Sequence, residues 1–349
     1  MKTANVVIDS SQFPENVRRD LIESFRLRAI NHKFHYDSVK QTQKWLALHR
    51  QFSPSRRDKD CRAVYEQSFR AVATRIESGK VHVIGLGCGG GEKDTGLLKL
   101  LKTRGRKIFY TPCDVSGAMV LTARRTALRV LPENDCFPFV CDLATAKDLA
   151  GALSLNRRLP MNPVAMEVRR QKSEPTHAGC HANETSRVIA FFGMIPNFEP
   201  QEILPKLAGI VGRGDLLLFS ANLAPGKDYA NGMERILPQY DNTPTRDWLM
   251  TLLLDSGIEK SDGRLLFEIE AMRNGLKRFA ANFYLGRART IKIENKTICF
   301  DAGEKIRLFF SYRYTPSRLR GFLGRHKLEI VREWIAASGE EGVFLCRRK

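Results

Sequence analysis

The segment that most constrains the fold is residues 81–96, VHVIGLGCGGGEKDTG. An apolar run of β-formers ends in a cluster of glycines and passes into a helical pattern, GLLKLLKTR. The same order of strand, tight loop and helix recurs downstream. KIFYTPCDV precedes GAMVLTARRTAL, CFPFVCDL adds a third strand, RVIAFFGMI leads into PQEILPKLAGIV, and GDLLLFSANL follows. Four or five strands alternating with helices predict an α/β chain built on a doubly wound parallel sheet. Such a sheet binds its ligand at the carboxyl ends of its strands.

The flanks follow other rhythms. Residues 14–31 carry an early proline and an apolar stripe at Val17, Leu21 and Phe25, which predicts a helix. KFHYDSV reads as a turn, QTQKWLALHR as a helix, and residues 58–79 as a helix with Val64, Phe69, Val72 and Ile76 on one face. Between Leu155 and Ser186 the alternation fails in a polar, basic, proline-containing stretch that reads as an insertion or mobile loop. After Gly226 a helical region, MERILPQYDNTPTRDWLMTLLLDSGIE, gives way to KRFAANFYLGRARTIKI, NKTICFDAGE and KIRLFFSYRYT. These three read as antiparallel strands, with ENK as a tight turn. The tail reads as a helix, SRLRGFLGRHKLEIVREWIAAS, and a last strand, GVFLCRRK. A second subdomain is therefore expected as an insertion after the fifth strand.

With 349 residues the chain makes one large domain or two modest ones. No run approaches the about 18 apolar residues of a membrane span, and MKTANVVIDSSQF lacks an apolar leader core, so a cytoplasmic protein is expected. Eight cysteines with no CxxC spacing fit a reducing compartment. His177, Cys180 and His181 are of ligand type, but no second pair of metal-site spacing lies near, so a plain loop and no metal are expected. The net charge of +19 raises nucleic acid as a partner. Its Lys and Arg are spread without a block of five or six, which favours a solvated surface.

The glycine cluster narrows the ligand. Without Cβ atoms, Gly85, Gly87 and Gly89–Gly91 let backbone N–H groups come close to it. Residues 85–90 match GxGxxG of the nicotinamide dinucleotide sites, a weak motif alone. A nucleotide triphosphatase loop is excluded, because neither Ser nor Thr follows Lys93. GxGxG at 85–89, with Asp114 and Asp142 each at a strand end, fits S-adenosylmethionine (SAM). Asp114 is placed to accept ribose hydroxyls, and Asp142 to sit near the adenine amine.

Seven short motifs then stand in order: KFHYD (33–37), LGCGGGEK (86–93), YTPCDVS (110–116), GMIPNFEP (193–200), QYDN (239–242), AGEKIR (302–307) and SYRYTP (311–316). Together they resemble the histidine-specific, SAM-dependent methyltransferase family. Its best-known member trimethylates the α-amino group of histidine on the route to ergothioneine, and a fungal branch methylates a prenylated tryptophan. The resemblance covers most of the chain. It implies a monomer with a Rossmann-like class I methyltransferase domain (57–222 plus 315–349) and an inserted α+β substrate-binding domain (1–56 plus 223–314).

It also implies roles. Gly87 and Lys93 lie against the methionine part of the cofactor, with Cys88 and Gly89 in the same loop. Asp114 holds the ribose, and Asp142 with Leu143 the adenine. Tyr36 meets the substrate amine, Asn197 and Tyr240 its carboxylate, and Ser311 its side chain. Local sequence offers plainer readings: Asn197 as a turn former or N-cap, Tyr36 and Tyr240 as packing residues, Ser311 as a cross-strand hydroxyl.

Four positions depart from the family. Its glutamate two residues before the serine, which binds the imidazole, is Phe309 here. Its methionine in the first long strand of the insertion is Ala281. Its acid at the end of the first strand is Gly85, and its GNF is PNF, with Pro196. Losing a charge-assisted acceptor removes roughly 1.5–3 kcal/mol from imidazole binding. The expected acceptor is therefore the amine of an aromatic or modified amino acid, with histidine as the alternative. Two rivals remain. A nucleic-acid methyltransferase is argued against by Ile195-Pro196-Asn197-Phe198, which lacks the Asn/Asp-Pro-Pro-Tyr/Phe tetrad. A non-catalytic binder that has lost its cofactor is suggested by Gly85.

Overall fold

A computed structural model describes residues 4–156 and 185–349. A short strand, β1 (Val7–Ile8), precedes the helices α1 (Pro14–Arg26), α2 (Val39–Phe52), α3 (Pro54–Arg57) and α4 (Lys59–Arg75). The alternating region follows as β2 (Lys80–Leu86), α5 (Glu92–Thr103), β3 (Lys107–Asp114), α6 (Gly117–Ala127), β4 (Phe139–Val140), α7 (Leu149–Asn156), β5 (Ser186–Phe191), α8 (Pro200–Ile210) and β6 (Leu216–Asn222). The insertion comprises α9 (Tyr229–Tyr240), α10 (Thr243–Asp255), β7 (Gly263–Ala271), β8 (Lys277–Leu285), β9 (Arg289–Ile293), β10 (Lys296–Phe300) and β11 (Lys305–Arg313). The chain ends with α11 (Pro316–Arg325), β12 (Leu328–Ile335) and β13 (Glu341–Arg348).

The central sheet has eight strands in the order β1-β4-β3-β2-β5-β6-β13-β12. All pairings are parallel except those of β13, which runs antiparallel to β6 and β12. The order reverses between β2 and β5, and that switch point is where an open α/β sheet binds its ligand. Alternate residues feed opposite faces. Val81, Val83, Val188 and Leu218 enter one apolar cluster, while Ile84, Leu86, Ile189 and Leu217 enter the other. Burial on both faces explains why these strands are continuously apolar in sequence. The insertion forms its own sheet, β11-β8-β7, and a separate hairpin of β9 and β10.

The expected α/β, Rossmann-like architecture with an inserted α+β part is present, with local corrections. The tail helix ends at Arg325; Lys327 turns the chain at φ 59°, and Leu328–Ile335, read as helix, is an edge strand held by β13. These eight residues mix Glu329, Arg332 and Glu333 with apolar side chains in a pattern that fits either period, and only the ladder partner decides it. GRLLFEIEA, between the expected helical region and the expected strands, forms β7, while KRFAANFYLGRARTIKI breaks after Leu285 into strands of two different sheets. CFPFVCDL contributes only Phe139 and Val140, because Pro138 has no N–H to donate. β1, expected with the substrate part, pairs with β4 at the edge of the central sheet. The stretch read as an insertion, with His177, Cys180 and His181, lies almost wholly outside the described residues. No helix among the described residues is long and apolar enough to cross a membrane.

Gly91 starts α5 at φ 73°, and a Cβ there would lie 2.7 Å from the Ala123 Cα of α6. Gly91→Ala is expected to cost about 1–3 kcal/mol through backbone strain and overpacking. Thermal unfolding of the two proteins measures it, and an unchanged midpoint would refute the close approach.

Candidate active site

A cavity of about 910 Å³ opens over the carboxyl ends of β2, β3 and β5 and extends to α2, α10 and β11. Every residue expected at the site lines it except Ala281.

One end is the glycine loop. Gly87 and Gly89 adopt φ 60° and 51°, a region that side chains rarely enter. A Cβ on Gly87 would stand 2.5 Å from Met194, and one on Gly89 3.2 Å from Trp45. Bare backbone is therefore presented to the cavity, as a close-fitting ligand requires. Asp114, at the end of β3, clamps the loop: its carboxylate accepts the Gly89 N–H at 2.9 Å and the Ser116 N–H at 3.1 Å. Burial raises its pKa and those bonds oppose the rise. Each oxygen keeps a lone pair for a hydroxyl. Cys88 is held protonated by burial and by Asp114 and Asp94, so it is no nucleophile.

Asp142 is partly engaged already. It accepts from Ala144 N–H and the Thr145 hydroxyl at 2.9 and 2.8 Å, and it stands 3.4 Å from the buried ammonium of Lys33. Its own N–H donates to the Ser11 hydroxyl at 3.0 Å, so the N-terminal segment holds this end of the site in place. Leu143 is buried beside it. Lys93, expected against the methionine part of the cofactor, lines the cavity and is held from two other elements. Its ammonium donates to the Tyr65 hydroxyl at 2.6 Å and lies 3.5 Å from Glu341. Burial would raise the Glu341 pKa, but the Lys93 charge and the Tyr65 bond outweigh it and hold it low.

The other end is aromatic. Tyr36 packs edge-on to Trp45 and tilted on Trp248, with ring centroids at 5.8 and 5.5 Å. Its hydroxyl has no partner among the described residues. Burial and the Asp114 charge push its pKa up, so it stays protonated. Phe309 stacks on His32 at 4.7 Å and meets Trp248 edge-on at 5.7 Å. His32 accepts the Phe310 N–H through Nε2 at 3.2 Å and stays neutral, chiefly because it is buried. A register shift between Arg307 and Phe309 marks a β-bulge in β11. Arg307 also lines this end and has no carboxylate partner among the described residues.

Tyr240 and Ser311 form one unit. The Tyr240 hydroxyl donates to Ser311 at 3.2 Å and accepts from Arg313 at 3.2 Å. Asn197 ends a short turn, Ile195–Asn197, and its side-chain amide has no partner among the described residues. The N-cap of α8 is Glu199, so the N-cap reading of Asn197 fails. Ala281 is opposite Phe309 in the ladder but is 1% exposed, inside a cluster with Phe283 and Trp248. It is packed in that cluster and does not line the cavity. Sequence reasoning missed Trp45, Trp248, His32 and Asp94, which only the packing of separate elements brings to the cavity.

His35, next to Tyr36, is buried and donates Nε2–H to the Leu308 carbonyl at 2.6 Å, with Nδ1 unpartnered. Burial lowers its pKa to about 4. Unfolding returns it to roughly 6.5, so between these values the unfolded chain binds the extra proton. Its contribution is complete above about pH 6.5 and is lost as pH falls towards 4. Denaturant midpoints are expected to drop across that window, less steeply for His35→Phe. Parallel profiles would show that His35 carries no part of the loss.

The family described as histidine-specific methyltransferase, SAM-dependent, matches residues 17–348. Among solved structures, the chain is similar to a SAM-dependent methyltransferase from Clostridium acetobutylicum ATCC 824. Identity is 10%, over 88% of this chain and 98% of that one, with a TM-score of 0.42. It is also similar to magnesium protoporphyrin IX methyltransferase from Synechocystis PCC 6803, at 13% identity over 91% and 98% of the two chains, TM-score 0.42. Neither likeness bears on what this chain methylates. No curated protein matches by sequence. A bare glycine loop at the switch point, an acid at the next strand end and a match over nearly the whole length converge: the chain is a SAM-dependent methyltransferase and belongs to the histidine-specific methyltransferase family.

Proposed function

We propose that the protein methylates the amino nitrogen of a small molecule, an aromatic or modified amino acid rather than histidine. The observation that carries this reading is Phe309. Where an imidazole would need a carboxylate, Phe309 presents a ring stacked on His32 and set edge-on to Trp248. An apolar ring satisfies such a wall; an imidazole N–H would lose its charged partner.

When bound, SAM supplies an electrophilic methyl group. The residues of the chain have to hold a neutral amine beside it and keep water out. The Tyr36 hydroxyl is the group for that task. It is unpartnered, protonated and set between Asp114 and the aromatic wall, so it accepts an N–H and orients the lone pair. No strong base is required: an α-amino group with a pKa of about 8 is already partly neutral, and water takes the proton. The free amide of Asn197 and the Arg313–Tyr240–Ser311 chain suit the substrate carboxylate. This reading includes a cytoplasmic, monomeric protein; the seven cysteines among the described residues are free, as a reducing compartment requires.

Tyr36→Phe is expected to lower kcat about 10- to 100-fold with little change in cofactor affinity. Equal loss of both would make Tyr36 a packing residue. The deciding experiment is a mass-resolved methyl-transfer screen with histidine, tryptophan, tyrosine, phenylalanine and their amines and derivatives. Methylated aromatic product without methylated histidine supports the reading. Methylated histidine overturns the Phe309 reasoning. No product despite cofactor binding sends the search to nucleic acid and the basic surface.

A further inference from the structure

Asp94 is a buried acid, 3% exposed, in the first turn of α5, and it lines the cavity beside the glycine loop. One carboxylate oxygen accepts the Tyr110 hydroxyl at 2.6 Å; the other has no partner among the described residues. No cation among the described residues lies within ion-pair distance of it. Burial raises its pKa to about 6, outweighing the Tyr110 bond and the Lys93 charge that lower it.

The other acids at this end are accounted for. Asp114 is bound to Gly89 and Ser116. Glu341 is paired with Lys93, and Glu92 with Arg56. The cofactor brings an α-ammonium into this end of the site, and a buried ammonium needs a carboxylate. Gly85 explains how Asp94 gets there. A Cβ on Gly85 would fall inside the Asp94 carboxylate, 2.9 Å from its Cγ and 3.2 Å from the Tyr110 hydroxyl. The end of β2 is bare because a carboxylate from α5 fills the space beside it.

We infer that Asp94 binds the cofactor's α-ammonium, a role moved from the end of β2 to the first turn of α5. The inference rests on the cofactor assignment and not on the choice of methyl acceptor. It removes the feature that suggested a binder without its cofactor, since the acid is supplied from another element.

The test is calorimetric binding of S-adenosylhomocysteine and of its deaminated analogue to the full-length protein, Asp94→Asn and Gly85→Ala. The wild type is expected to prefer the amine-bearing ligand about 10- to 100-fold. Asp94→Asn should erase most of that preference while binding the deaminated analogue nearly unchanged. Gly85→Ala, which keeps the acid but displaces it, should narrow the preference in the same direction and serves if Asp94→Asn does not fold. A preference that survives both substitutions overturns the inference. Equal loss of both ligands in Asp94→Asn also overturns it, by making Asp94 a loop support. A wild type that binds neither ligand overturns the cofactor assignment itself.

Discussion

Asp114→Ala is expected to lower affinity for S-adenosylhomocysteine by about 100-fold or more. The carboxylate has two tasks. It accepts the Gly89 and Ser116 N–H groups and so sets the shape of the glycine loop. Its remaining lone pairs suit ribose hydroxyls, each bond to a charged acceptor being worth roughly 1.5–3 kcal/mol. Removing it leaves two buried N–H groups unpaired and takes away the proposed ribose acceptor together. Asp114→Asn separates the tasks, because the amide oxygen still accepts one bond. It should lose less than the alanine variant. Calorimetry with S-adenosylhomocysteine reads the effect, and a melting curve without ligand guards against misfolding. Affinity within a few-fold of wild type in both variants would show that the ribose is held elsewhere.

The second large effect is expected at Phe309→Glu. A carboxylate here gives an imidazole N–H a charged acceptor and removes the ring that stacks on His32. The ratio of kcat/KM for histidine to that for an aromatic substrate should rise about 10- to 100-fold. A new acid in an apolar wall would normally shift its pKa and neutralise. Here Arg307, two residues earlier and without a carboxylate partner among the described residues, is available to keep it charged. An unchanged ratio, in a protein that still binds cofactor, would show that the acceptor's side chain does not reach Phe309.

The parallel sheet was legible because its strands are buried on both faces and its glycines are confined to one strand end. The edges were less so. Leu328–Ile335 became a strand only through β13, and β7 is too exposed to carry a clear apolar signal. At the site, Asp114 and the glycines could be read from their place at strand ends. Asp94 could not, since its meaning depends on a missing side chain at Gly85, nine residues earlier. Trp45 and Trp248 come from helices far apart in sequence, and neither carries a local mark of its destination. The partners of Lys93 were hidden for a related reason: Tyr65 and Glu341 lie on α4 and β13.

The first 56 residues are not an exchangeable cassette. β1 completes the edge of the central sheet, Ser11 receives the N–H of Asp142, and Lys33 neutralises its carboxylate while bonding Asp20 at 2.6 Å. Three residues after Lys33 stands Tyr36. The segment that carries Tyr36 into the cavity therefore also holds Asp142, the residue proposed for the adenine end. Grafting the N-terminal segment of a relative to change the acceptor would also disturb the cofactor, and retargeting is better attempted on β11 alone.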